Sequence, residues 1–202
     1  MSIKTKSILL IILVLLVDQA SKIFIKLNFT IGDHVNIFSW FQIFFIENNG
    51  MAFGMEIFGK LFLTLFRIVA VCGLGYFIHV LIRKNARAGY ILSVALLLAG
   101  AAGNIFDSVF YGVLFSESTV SQAANFLPET GGYAPLLHGK VVDMLYFPII
   151  KNDMGETLFF SPVFNIADSA ITIAVAIILI FFRKDLNESL ETKKEKTDDE
   201  NQ

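Results

Sequence analysis

A chain of 202 residues that is 55% hydrophobic and carries 21 Phe, with a mean hydropathy of +0.66, is too apolar for an ordinary soluble domain, whose surface must be substantially polar. A formal net charge of -2 leaves no electrostatic footprint for nucleic acid and no polybasic lipid-reading surface. The single cysteine, Cys72, excludes an internal disulfide and a thiol-rich metal centre. Inside an apolar run it reads as a small packing residue.

The opening MSIKTKSILLIILVLLVDQASK has the basic start and apolar run of a secretory signal peptide. Cleavage after Ala20 would put Asp18 where a small residue is required, so the segment reads as a retained anchor. A hydrocarbon core of about 30 Å needs roughly 20 helical residues, and four segments meet that length, at about 7–27, 59–82, 88–107 and 164–182. The expected fold is an α-helical integral membrane protein with four transmembrane helices and a small extracytoplasmic β-containing region. The helical domain spans 1–185, with external segments at about 28–58 and 108–163. A disordered cytoplasmic tail at 186–202 follows, because LNESLETKKEKTDDENQ lacks the apolar content to fold.

Orientation follows from the positive-inside rule. The connection Arg83-Lys84-Asn85-Ala86-Arg87 is basic, whereas the stretch from Leu27 to Phe58 has no Lys or Arg. Both termini therefore belong in the cytoplasm, with Lys4, Lys6, Arg183 and Lys184 beside them. The first external stretch, FTIGDHVNIFSWFQIFFIENNG, alternates enough to suggest short strands lying on the membrane surface, with Trp40 as an interfacial anchor. The second external stretch mixes Ser, Gly, Pro and Asn with apolar pieces and reads as a partly ordered loop.

Carboxylates inside a span are costly and mark functional sites by default. Asp18 lies past the midplane of the outward-going first helix, Asp107 ends the outward-going third, and Asp168 sits in the first turn of the inward-going fourth. Independent segments thus bring three acids to the outer leaflet. Asn104 precedes Asp107 by three residues and Asn165 precedes Asp168 by three, so each amide is expected to orient its own acid from the same helical face. The small residues Ala95, Ala99 and Gly103 step by four toward Asp107 and let another helix approach. A fourth acid, Asp143, lies in the apolar loop piece Val-Val-Asp-Met-Leu-Tyr-Phe.

His34 and His138 have no HExxH or Cys/His companions, so the pattern gives metal hydrolysis poor support. No Gly-x-Ser-Gly segment occurs; a Ser161 and Lys151 pair stays open. Two close Asp side chains can share one proton and so supply acid and base from one residue type. A small ion-coupled transporter is the rival reading, but it would spread its acids through the depth of the membrane.

Five blocks carry a resemblance: Val17-Asp18-Gln19-Ala20-Ser21-Lys22, Asn48-Asn49-Gly50-Met51-Ala52-Phe53-Gly54, Gly103-Asn104-Ile105-Phe106-Asp107, Val141-Val142-Asp143 and Phe164-Asn165-Ile166-Ala167-Asp168. In this order, over nearly the whole chain, they resemble the lipoprotein signal peptidase (signal peptidase II) family. The resemblance implies an aspartic endopeptidase with Asp143 and Asp168 as its catalytic dyad. It implies Asp18, Lys22, Asn48, Gly50, Asn104, Asp107 and Asn165 as substrate-binding or supporting residues. It further implies diacylglyceryl prolipoprotein substrates cut just before the lipidated cysteine, contact with membrane lipids and sensitivity to globomycin-type inhibitors. No metal or organic cofactor and no nucleic acid are expected, and a monomer in the bacterial cytoplasmic (inner) membrane, active on the periplasmic side, is the default.

The chain departs from the family twice. Ser108 follows Asp107 where most members have Arg, with Lys140 as a substitute charge, and Asp107 and Asp143 are separated by a long insertion. That insertion is a candidate cap for the substrate groove.

Overall fold

The computed structural model describes residues 1–49, 59–151, 157–159, 162–189 and 191. Gly50, the rest of its block through Gly54, Ser161 and most of the expected tail lie outside the described residues. The chain begins with α1 (Ile3–Asn28), whose N-cap Ser2 hydroxyl accepts from the Thr5 amide at 3.1 Å. A helix of 26 residues is longer than a hydrocarbon core requires, so its last turns extend past an apolar layer. There follow β1 (His34–Phe38), β2 (Phe41–Asn48), α2 (Gly59–Arg83) and α3, which runs from Ala88 to Leu114. Then come β3 (Val141–Tyr146), the short pair β4 (Ile150–Lys151) and β5 (Thr157–Phe159), and α4 (Ile166–Phe181).

Three helices, α1, α2 and α3, are long and apolar enough to span a membrane. At 16 residues, α4 reaches that length only together with α5 (Arg183–Ser189), from which it is bent by 90°. The first residues of the segment expected as tail are thus helical. Large apolar side chains stand exposed on the outer faces, including Leu13, Leu16, Phe66, Val69 and Ile180, as lipid-facing positions would. Cys72 joins them: it is exposed on α2 and does not pack in the interior as expected.

Helix α3 is the axis of the bundle, packing chiefly against α4 and α1. Its small residues make that possible, since Ala95 and Ala99 are fully buried. A methyl group on Gly100 would meet the Ala167 carbonyl oxygen at 2.4 Å, and one on Gly103 would meet Asp18 Oδ2 at 2.7 Å. The helix does not end at Asp107 as the sequence suggested. It continues through a π-turn at Asp107–Tyr111, a wide turn that inserts an extra residue and recurs at functional sites.

The strands form an antiparallel sheet in the order β1-β2-β3. Within it Val35 faces Ile43, and Ile46, Glu47 and Asn48 face Asp143, Val142 and Val141. The expected strands at 34–48 are present, and the apolar piece around Asp143 is itself a strand. Trp40 is exposed and stacks on Phe38 with centroids 5.4 Å apart. The insertion packs against the end of α1 and the sheet: the Ile31 amide donates to Thr119 O and the Ala124 amide to Lys26 O. Phe115 and Ala124 complete a core with Ile25, Phe45, Tyr111, Val142 and Met144.

Candidate active site

From one face of α1, Asp18 and Lys22 enter the junction of α3 and α4, both fully buried. Lys22 Nζ lies 3.0 Å from Asp18 Oδ2 and 2.9 Å from Asp107 Oδ2, and donates to Asn104 Oδ1 at 2.9 Å. Gln19 Nε2 donates to Asp107 Oδ1 at 2.8 Å and to Asp18 Oδ2 at 3.1 Å, while its Oε1 accepts from Tyr111 at 3.0 Å. The remaining Asp18 oxygen accepts from the Ala167 amide at 2.9 Å, at the N-terminus of α4 where a negative charge is favoured. Asp107 Oδ2 also accepts from the Val142 amide at 3.3 Å, so it holds β3 as well. Two buried carboxylates are thereby saturated by one lysine, one glutamine and two backbone amides.

Asp143 on β3 and Asp168 on α4 have different company. Asn104 Nδ2 donates to Asp168 Oδ1 at 2.7 Å. Asn165 Nδ2 donates to Asp143 Oδ1 at 2.7 Å, and Asn48 donates to Asp143 Oδ2. Asn165 is also the N-cap of α4. Its side-chain oxygen accepts from the Asp168 amide at 2.9 Å, and its own amide donates to Asp168 Oδ2 at 3.3 Å, forming a capping box. One asparagine thus bridges both acids. Asn48, Asn104 and Asn165 give the two carboxylates neutral amide donors. Burial, and after it the negative charge of Asp168, pushes the Asp143 carboxyl up to about 7, as expected of two acids that share an apolar site.

The family model for signal peptidase (SPase) II matches residues 10–184. The chain belongs to the signal peptidase II family. It is 45% identical over 195 residues to a lipoprotein signal peptidase of Porphyromonas gingivalis, covering 92% of this chain and 86% of that one. To the lipoprotein signal peptidase of Amoebophilus asiaticus it is 29% identical, covering 89% and 78%. A bacterial membrane enzyme solved by the in meso method at 1.9 Å resolution superposes with a TM-score of 0.62 and 29% identity, over 90% of this chain and 94% of that chain. As a signal peptidase II it is a membrane-embedded bacterial peptidase, and the activity of its family is removal of signal peptides from lipoproteins.

Within this signal peptidase II, Asp18, Lys22, Asn48, Asn104, Asp107, Asp143, Asn165 and Asp168 meet in one network. Asn104, however, does not serve the acid three residues ahead of it, and Asn165 meets Asp168 through the capping box while its side-chain NH2 group goes elsewhere. The Asn104 amide goes to Asp168 on α4, and the Asn165 amide goes to Asp143 on β3. The reason is geometric: Asn165 is the non-helical cap, so its side-chain amide is free to leave the helix, and Asp107 is already filled by Lys22 and Gln19.

Gln19, Tyr111 and Arg67 were not anticipated. Gln19 and Tyr111 stand next to anticipated positions, and Arg67 is a cation inside the second apolar span, which was the available signal. Ser108 is buried and donates to the Asn104 carbonyl oxygen at 3.0 Å. Lys140 turns elsewhere, to Glu117 at 3.2 Å and Glu47 at 3.8 Å. His138 lies in a loop with Nδ1 3.0 Å from Leu136 O, and His34 is on the exposed strand β1.

Proposed function

We propose that this chain hydrolyses the peptide bond just before the diacylglyceryl-modified cysteine of prolipoproteins, with Asp143 and Asp168 as an aspartic dyad at the outer face of the cytoplasmic membrane. The observation that carries the reading is the Asn165 bridge, which ties the buried Asp143 to the half-buried Asp168 through neutral donors. Such a pair can exchange a proton, whereas Asp18 and Asp107 are both ion-paired to Lys22.

The ionised Asp168 takes a proton from water as the water oxygen attacks the scissile carbonyl carbon. Protonated Asp143 gives its hydrogen bond, then its proton, to the carbonyl oxygen, stabilising the charge that develops there. Collapse of the tetrahedral intermediate breaks the C–N bond. Asp168 returns its proton to the leaving nitrogen, and Asp143 recovers its own from the hydroxyl. The upward shift of Asp143 to about 7 supports its assignment as the protonated partner at neutral pH.

Lys22 and Asp107 act indirectly, holding Asn104 and the Val142 amide on either side of the pair. Acyl chains remain among the helices while the peptide reaches the acids, and globomycin-type cyclic peptides compete for the same groove. The reaction is read as needing no metal or organic cofactor and only a single chain. The basic connection Arg83 to Arg87 and both termini are placed in the cytoplasm, at the far end of α3 from Asn104. Cleavage of a diacylated prolipoprotein by purified wild type, Asp143→Asn and Asp168→Asn tests the mechanism. Turnover is expected to vanish in both folded variants, and normal turnover in either rejects it.

A further inference from the structure

Arg67 lies eight residues into α2, about 12 Å along the axis from its start, where a cation is costly unless it has a use. It is half-buried and lines a cavity of about 220 Å³ between α2, α3 and α4, with Val71, Ala101, Asn104, Asp168 and Ile171. The cavity is aliphatic apart from Arg67, Asn104 and Asp168. The guanidinium interacts electrostatically with Asp168, and apolar walls weaken the screening that water would provide.

The other charges around Asp168 act in the opposite direction or are engaged. Asp143 faces it from β3 and repels a second negative charge. From α1 and α3 come Asp18, Lys22 and Asp107, whose single cation is held at 3.0 and 2.9 Å by its two acids, leaving a net negative group. Lys60, also on α2, donates to Asn49 Oδ1 at 3.3 Å and points toward the end of the hairpin. Asn104 offers a neutral donor.

We propose that Arg67 is a positioning residue that keeps Asp168 charged across the cavity, and thereby assigns the shared proton to Asp143. The inference rests on the dyad reading and extends it to a residue on a third helix. Without the guanidinium the pair takes up its second proton at higher pH, and no carboxylate is then left to accept a proton from water. The enzyme would lose activity first at low pH.

The test is kcat/KM against pH for the purified full-length wild type, Arg67→Gln and Arg67→Lys, with a diacylated prolipoprotein in detergent. Arg67→Gln is expected to move the acid limb upward by about one pH unit, a drop of about tenfold on the falling side, while Arg67→Lys restores the limb. Arg67→Met, neutral but able to lie against the aliphatic wall, must shift in the same direction and serves if the Gln variant does not fold. An unmoved acid limb overturns the proposal, whether the rate falls evenly at every pH, as for a packing role, or KM alone rises, as for a substrate contact. Asp143→Asn and Asp168→Asn in the same assay separate the two levels. Turnover in either means that the dyad reading has failed; inert dyad variants with an unmoved Arg67 limb mean that this inference has failed alone.

Discussion

Asp18 and Asp107, fully buried, sit against a lysine, whereas the buried Asp143 and the half-buried Asp168 take hydrogen bonds from amides. The first pair shares one cation and has its oxygens filled by strong charge-assisted contacts. The second pair has amide donors that fix geometry without cancelling charge, and on the proposed mechanism it shares a proton. On the proposed mechanism, the identity of the donor is what separates the structural pair from the reactive one.

The comparison can be broken most severely through the amide-held pair. Asp143→Asn or Asp168→Asn should abolish measurable turnover, a loss of about 10⁴, with folding preserved because Asn at either position is nearly isosteric. On the other side, Lys22→Met should cost about 3–5 kcal/mol of stability by leaving two buried carboxylates without their cation, measured by thermal unfolding in detergent. A Lys22→Met variant as stable as wild type would mean that the lysine does not hold the group.

A sharper contrast comes from pH. Asp143 is raised in the folded state to about 7 from an ordinary 3.8, so its contribution favours folding below about pH 4 and is lost as pH rises toward 7. Asp143→Asn should therefore be more stable than wild type at pH 8, by about 2–4 kcal/mol, with the gap closing by pH 4. Parallel unfolding curves at both pH values would contradict the shift. The smallest effect is expected far from both pairs. Arg87 and Asp185 form an ion pair at 3.2 Å in which Arg87 is 66% exposed, so Asp185→Asn should change stability by about 0.5 kcal/mol or less and leave turnover intact.

Much of the fold was legible because hydropathy is a strong signal over 20 residues: the helices lie where the apolar runs lie. The end of α3 was not, since the wide turn at Asp107–Tyr111 is stabilised by the insertion folding back on it, with the Gly139 amide on Ser108 O. The acids of the site were legible through their cost in an apolar setting. Their pairing was not, because spacing along one helix says which side chains share a face but not which neighbour the face meets. Asn104 and Asn165 show the difference: each sits three residues before an acid and sends its amide to another element.

Because Asn165 caps α4 with the same side chain that binds Asp143, the first turn of that helix and the alignment of the acids form and dissolve together. Helix ends fray more readily than the whole molecule unfolds, so on the dyad reading the fraction of competent enzyme is expected to follow local opening at 165–169. Hydrogen exchange at the Asp168 and Ser169 amides, both donated to Asn165, would then track catalytic competence. Warming should dim activity before the bundle loses its helices.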